Sequence, residues 1–248
     1  MRQFTPIRTE PAYRKVADAL LARITDRSLS PGERLPAETE LARQFGVNRS
    51  TVREAMRELQ SHGLVSRARG SRRMMFSLPP HDVVAGGVSR ALALHNVTAL
   101  HVWEALTLLQ PPIAAAAARR RTAADLRALE ACAAAAARED NGLAESVHAA
   151  AEFFRAMGRA AHNPVLSLAQ EPLLQLLQPS LRKMIDRVPQ ARARIASAQR
   201  QLLTAVRARD AVAAESWMGK HVRDFRRGYE LAGLGLNDPL TAAEAAAA

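Results

Sequence analysis

A mainly α fold in two domains is the expectation this sequence sets, and three observations set it. At 248 residues the chain is long for one helical core and comfortable for two, since single cores usually stop growing at about 100 to 200 residues. Apolar residues make up 48% but aromatics only 4%, and frequent alanine runs favour small-residue helix packing over a β-sandwich. Past Pro79-Pro80 every segment carries helical periodicity, whereas the front of the chain adds one short hairpin to its helices.

From Tyr13 to Arg27, Val16, Leu20 and Ile24 fall four apart while Arg14, Lys15, Asp18 and Arg23 lie elsewhere, which predicts an amphipathic helix. Ser30, Pro31 and Gly32 end it. A short second helix follows Pro36, with Leu41, Ala42 and Phe45 apolar, and Gly46 supplies the backbone freedom for a tight break. Val47 re-enters the core, and Asn48 suits the N-cap of a third helix from Arg49 to Ser61. There Val52, Ala55, Met56 and Leu59 form one stripe, so Arg49, Ser50, Arg53 and Arg57 point the other way. His62-Gly63 stops this helix. Two β-like runs, Leu64 to Arg67 and Arg73 to Phe76, flank the basic turn Ala68-Arg69-Gly70-Ser71-Arg72. Helix, glycine turn, helix and basic hairpin make the order of an N-terminal winged helix-turn-helix, expected over 1–78.

Pro79-Pro80 marks a boundary, because consecutive prolines disfavour both helix and strand. An all-α C-terminal bundle of six or seven helices is expected over 79–235. Helices are predicted near 81–95, 98–121, 122–138, 142–161, 164–187, 190–208 and 210–232, with breaks at Asn96, Thr122, Asn141-Gly142, Asn163-Pro164, Pro189 and Asp210. Pro111-Pro112 predict a kink in the second of these, and Pro172 with Pro179 a bend or split in the fifth. The tail 236–248, ending in TAAEAAAA, has nothing large to bury and is expected to be flexible.

The formal charge is +11. Residues 1–76 hold 15 Lys and Arg against 8 Asp and Glu, a net +7, while 77–248 hold 20 against 16, a net +4. A basic excess at the front points to a polyanionic partner, since phosphate backbones release counterions to clustered cations; an alanine-rich, arginine-rich usage also fits a GC-rich genome. The single cysteine, Cys132, excludes an intrachain disulfide framework and a thiolate metal cluster. No apolar leader and no run of about 18 uncharged apolar residues is found, so a cytoplasmic protein with no membrane partner is expected. Arg and small hydroxyls on the first turn of a recognition helix can pair with guanine, phosphate and base edges in the major groove, which suits Asn48, Arg49, Ser50, Thr51 and Arg53.

The segment LSPGERLPAETELARQFGVNRSTVREAMRELQSHGLVSRARG resembles the winged-helix signature of GntR-type regulators almost end to end. The resemblance implies DNA contacts from Asn48, Arg49, Ser50, Thr51 and Arg53 on the recognition helix and from Arg69 and Gly70 in the wing. Where the family usually has Ser and Arg this chain has Ala37 and Thr39, so a usual helix cap and a usual DNA-contacting Arg are missing. Further on, HVWEALTLLQPPIAAAAA, AEFFRAMGRAAHNPVL and RQLLTAVRARDAVAAESWMGKHVRDF resemble the FadR-like branch, whose FCD-type effector module is a helical bundle.

Many relatives of that branch hold a divalent metal with one Asp and three His. Aligned on Asn163-Pro164 and Asp210, those positions fall here on Ala150, Phe154, Gln199 and His221. Neither Ala nor Phe can coordinate a cation, so neither a metal site nor any cofactor is expected. Relatives also carry an Arg and a Glu where this chain has Leu106 and Gln110. An effector pocket formed by Trp103, Leu106, Gln110, Phe154, Gln199 and His221 would then be apolar and suit an acyl or lipid-like ligand; alternatively these side chains fill the core and nothing binds. The expected protein is a homodimeric regulator, a repressor, bound to double-stranded DNA at an inverted repeat, and not an enzyme. The competing readings are a constitutive dimeric regulator without effector and an enzyme with a DNA-binding head. The latter lacks a glycine-rich phosphate loop, a cofactor-like lysine and any Ser-His-Asp or Cys-His arrangement.

Overall fold

The computed structural model describes residues 10–67, 73–79 and 81–240, apart from the side chain of Asp82. Among the described residues there are ten helices and one two-stranded hairpin, and the chain divides into two compact units, Met1–Val84 and Ala85–Ala248.

The first unit contains α1 (Ala12–Thr25), α2 (Glu38–Phe45), α3 (Arg49–Ser61), β1 (Val65–Arg67) and β2 (Met74–Phe76). Val16, Ala17 and Leu20 of α1 pack with Leu41 of α2 and with Val52, Ala55, Met56 and Leu59 of α3. Burial is complete at Val52, and a fully buried side chain of this kind contributes about 1.5 to 3 kcal/mol. Gly46 adopts a left-handed φ of 64° and closes α2, while the Val47 N–H donates to Ala42 O at 3.0 Å and the Gly46 N–H to Arg43 O. This Schellman arrangement satisfies the last carbonyls of α2 and turns the chain directly into α3.

The hairpin pairs Val65 with Phe76 and Arg67 with Met74, antiparallel. Residues 33–35 extend it on the other side of β2: Phe76 N–H donates to Glu33 O and Leu35 N–H to Met74 O, both at 2.9 Å. Gly32, at φ 88°, makes the turn that precedes this pairing. Nothing in the sequence reading anticipated it, because three residues are too few to show a strand period.

The helices of the bundle are α4 (His81–Leu94), α5 (Ala99–Arg120), α6 (Ala123–Ala136), α7 (Leu143–Ala160), α8 (Pro164–Arg187), α9 (Ala191–Arg207) and α10 (Ala211–Leu231). Four of their starts are built into the sequence as side-chain caps. Thr98 and Thr122 each form a reciprocal capping box, Asn163 accepts from the Val165 and Leu166 N–H groups ahead of Pro164, and Asp210 accepts from Ala213. Helix α5 packs against α7, α8, α9 and α10. Its buried Ala114 to Ala118 offer little side-chain bulk, while Ile113, Leu129, Phe153, Met157, Leu202 and Met218 fill the space between helices. Buried Glu171 of α8 accepts from Arg155 of α7 at 2.9 Å, tying those two helices together.

The split alternative for α8 and the start of the expected tail are corrected. Helix α8 runs from Pro164 to Arg187 without a split; Pro172 costs the helix one N–H bond but is itself buried in the bundle. The start of the supposed flexible tail, 236–240, is packed: Leu100 N–H donates to Leu236 O and Leu240 N–H to Val97 O, each at 2.8 Å, and Leu240 is buried. Leu236 and Leu240 supply the apolar surface that the alanine-rich end lacks. Residues 241–248 lie outside the described residues. No helix among the described residues is long and apolar enough to cross a membrane.

Candidate functional site

Helix α3 buries Val52, Ala55, Met56 and Leu59 and turns Arg49, Ser50, Arg53 and Arg57 outward, as its period requires. Asn48 occupies the N-cap position in extended conformation, but its side chain makes no capping bond. That exposed amide is therefore not committed to holding the helix. Thr51 is half-buried beside the exposed Ser50. Ala37 caps α2 without a side-chain bond, which is the structural counterpart of the missing family serine.

The outward face is organised by one carboxylate. Glu38, the first residue of α2, accepts from Arg49 Nε at 3.1 Å, and the same oxygen lies 3.7 Å from Arg53 Nε. In the hairpin, Arg67 and Arg73 are exposed. Arg69 and Gly70, together with Arg72, lie outside the described residues.

In the bundle, an apolar cavity of about 50 Å³ is lined by Leu106 of α5, Ala150, Ala151 and Phe154 of α7, Leu174, Leu177, Gln178 and Leu181 of α8, Ile195 of α9, and His221, Val222 and Phe225 of α10. Of the expected pocket residues, Leu106, Phe154 and His221 line it. Trp103, Gln110 and Gln199 do not, and each has a physical reason. Trp103 donates from Nε1 to Val222 O at 3.1 Å and stacks on the Arg226 guanidinium, which binds α5 to α10. Gln110, fully buried, donates to Gln170 Oε1 at 3.0 Å, and Gln170 in turn donates to Phe154 O, so this pair bridges α5, α8 and α7. Gln199 is fully buried with no partner for either amide atom among the described residues. Of the nine lining residues absent from the expected pocket, four lie on α8, where Leu174, Leu177 and Leu181 share a face at spacings of three and four, a signal that reads equally as core.

His221 stacks on Phe154 with ring centroids 5.3 Å apart and nearly parallel. Its Nε2 is buried without a protein partner, and burial holds the imidazole pKa down to about 4. The ring is neutral at pH 7. At the four positions that could have held a divalent cation, Ala150 offers no donor, the Phe154 ring lies against His221, and Gln199 offers only an amide. These residues do not fit a metal ion. No group of three or more His, Cys, Asp or Glu with metal-binding geometry occurs among the described residues.

Comparison with known proteins agrees with this architecture. Residues 12–73 match the family described as bacterial regulatory proteins, gntR family, and residues 101–224 match the FCD domain. An L-lactate dehydrogenase operon regulatory protein of Escherichia coli (strain K12) is 29% identical over 216 residues, which span 84% of this chain and 82% of that one. MngR, the repressor of the mannosyl-D-glycerate transport/metabolism system in the same organism, is 40% identical over 62 residues, 25% of this chain and 26% of its own. The solved structure of Streptococcus agalactiae GntR superposes with a TM-score of 0.61 at 26% identity, covering 87% of this chain and 99% of that chain. The chain belongs to the GntR family of DNA-binding transcriptional regulators, in the FadR-like branch that carries an FCD domain.

Proposed function

We propose that this protein is a cytoplasmic, homodimeric repressor in which 1–78 bind an inverted-repeat operator and 79–235 dimerise and respond to an apolar or acyl effector without metal. The observation that carries the DNA half is the outward face of α3, where Arg49, Ser50 and Arg53 stand exposed opposite a fully buried stripe. Asn48 and Thr51 flank them on the first turn, and Arg69 and Gly70 complete the contact from the hairpin. One winged helix reaches too few base pairs for high specificity, and a two-fold dimer doubles the contacts. Selection of duplexes from a random pool, followed by footprinting on the enriched site, tests this reading. A two-fold symmetric footprint is expected, and no enrichment at physiological salt would refute it.

For the effector half, the cavity has no Arg, Lys, Asp or Glu in its lining and its one histidine is neutral. A carboxylate would find no counter-charge there. The name of the Escherichia coli relative links that protein to an L-lactate dehydrogenase operon; the lining here supports an apolar ligand instead. The size of the cavity favours a second reading, a constitutive regulator. At about 50 Å³ it is well below the roughly 300 Å³ of ordinary ligand pockets, so an acyl chain must part α7, α8 and α10 to enter. Thermal shift with medium-chain acyl compounds separates the two: stabilisation supports an effector, and no shift with any of them supports constitutive binding. Stabilisation by a divalent metal or a short hydroxy acid would overturn the apolar reading.

A further inference from the structure

We propose that Glu38 is a positioning residue for operator recognition, its carboxylate setting the guanidinium groups of Arg49 and Arg53 for contact with bases. This rests on the reading of α3 as the recognition helix. The two arginines are four residues apart and one helical turn apart on the same outward face, so without an intervening anion their charges repel. A single Glu38 oxygen lies within 3.1 Å of Arg49 Nε and 3.7 Å of Arg53 Nε. The bond to Arg49 uses the Nε–H at the side of the guanidinium rather than the two terminal nitrogens. The two terminal nitrogens, which match the paired acceptors on guanine, are not used by that bond.

The folded state has little use for this contact. Arg49 and Arg53 are 60% and 49% exposed, and ion pairs in water of that kind barely stabilise a protein. Where duplex DNA covers the face and excludes water, the same contact strengthens and fixes rotamers that would otherwise be immobilised on binding. A carboxylate on a phosphate-facing surface also weakens binding to any duplex through repulsion. Removing Glu38 should therefore move specific and non-specific affinity in opposite directions, which neither a purely structural role nor simple repulsion does. Glu38 also sits in the first turn of α2, where a negative charge favours the helix; that contribution would act on stability, equally for all DNA.

The test uses the full chain, the duplex most enriched by the wild type from a random pool, and a scrambled duplex of equal length. Glu38→Ala is expected to lower the ratio of specific to non-specific affinity about 10-fold, with non-specific affinity rising. Glu38→Gln, which keeps an oxygen that can accept from Arg49 Nε, should retain part of the ratio and guards against a folding defect in the alanine variant. In an Arg49→Ala/Arg53→Ala background, Glu38→Ala should leave the ratio unchanged. Equal shifts on both duplexes would reduce Glu38 to a repulsive charge and overturn the proposal. So would a loss that persists without the arginines, since Glu38 would then accept directly from a base such as cytosine. A wild type that enriches no duplex would refute the recognition-helix reading itself, a result distinct from either of these.

Discussion

On α3 Arg49, Ser50 and Arg53 face water and the two arginines share one carboxylate, with Glu58 Oε2 the one buried polar atom of that helix left without a partner, whereas in the bundle Gln110 Oε1, both amide atoms of Gln199 and Nε2 of His221 are buried without partners among the described residues. Charge exposed on a helix costs the fold almost nothing, so α3 can be shaped by what it binds. Each unsatisfied buried polar atom costs about 1 to 3 kcal/mol, so the interior of the bundle keeps its polar side chains at the expense of stability. On the proposed reading, binding would rest on exposed cations in the first region and on the apolar lining of a cavity in the second. The contrast also explains why substitutions should act on different observables in the two places.

The largest effect should come from the exposed side. Arg49→Ala/Arg53→Ala should weaken binding to the selected duplex by about 2 to 5 kcal/mol, counting two base-contacting arginines with a shared partner. The melting temperature should barely change, because neither side chain is buried. Equal losses on every duplex would reassign both arginines to phosphates, and a large fall in melting temperature would break the contrast drawn above.

Acid should act on the buried side. His221 has its pKa held to about 4 by burial, against 6.5 ordinarily. Between those values the unfolded chain binds a proton that the folded chain refuses, so stability is intact above pH 6.5 and falls as pH drops towards 4, by about 3 kcal/mol at most. Denaturant midpoints measured across this window should fall for the wild type and stay flatter for His221→Leu. Parallel curves would mean that other groups govern acid unfolding. A somewhat smaller effect is expected at Gly158, where an added Cβ would clash with buried Gln170 Nε2 and disturb the bridge from Gln110 to Phe154. Gly158→Ala should cost about 2 kcal/mol in urea unfolding, and an unchanged midpoint would show that Gln170 can move aside.

What could be read from the sequence divides along the same line. The bounds of α3 were legible because Gly46, Asn48 and the stripe from Val52 to Leu59 are local signals, and the starts of α6, α8 and α10 were legible because Thr122, Asn163 and Asp210 cap them. The Glu38 contact was not, since it joins residues 11 apart across a turn whose geometry only the fold defines. The cavity was partly legible: Leu106, Phe154 and His221 followed from the resemblance, but Trp103 and Gln110 point into helix contacts that no periodicity distinguishes from a pocket. The packing of Leu240 was hidden by the alanine-rich stretch beside it.

The smallest expected effect asks the sharpest question of the bundle. Gln199 is fully buried and bonds to nothing among the described residues. Leucine has similar volume and no polar atom, so Gln199→Leu should raise stability by about 1 kcal/mol by removing groups that folding strips of water. A loss of similar size would mean instead that the amide is satisfied in solution by something other than protein, either water or a bound small molecule.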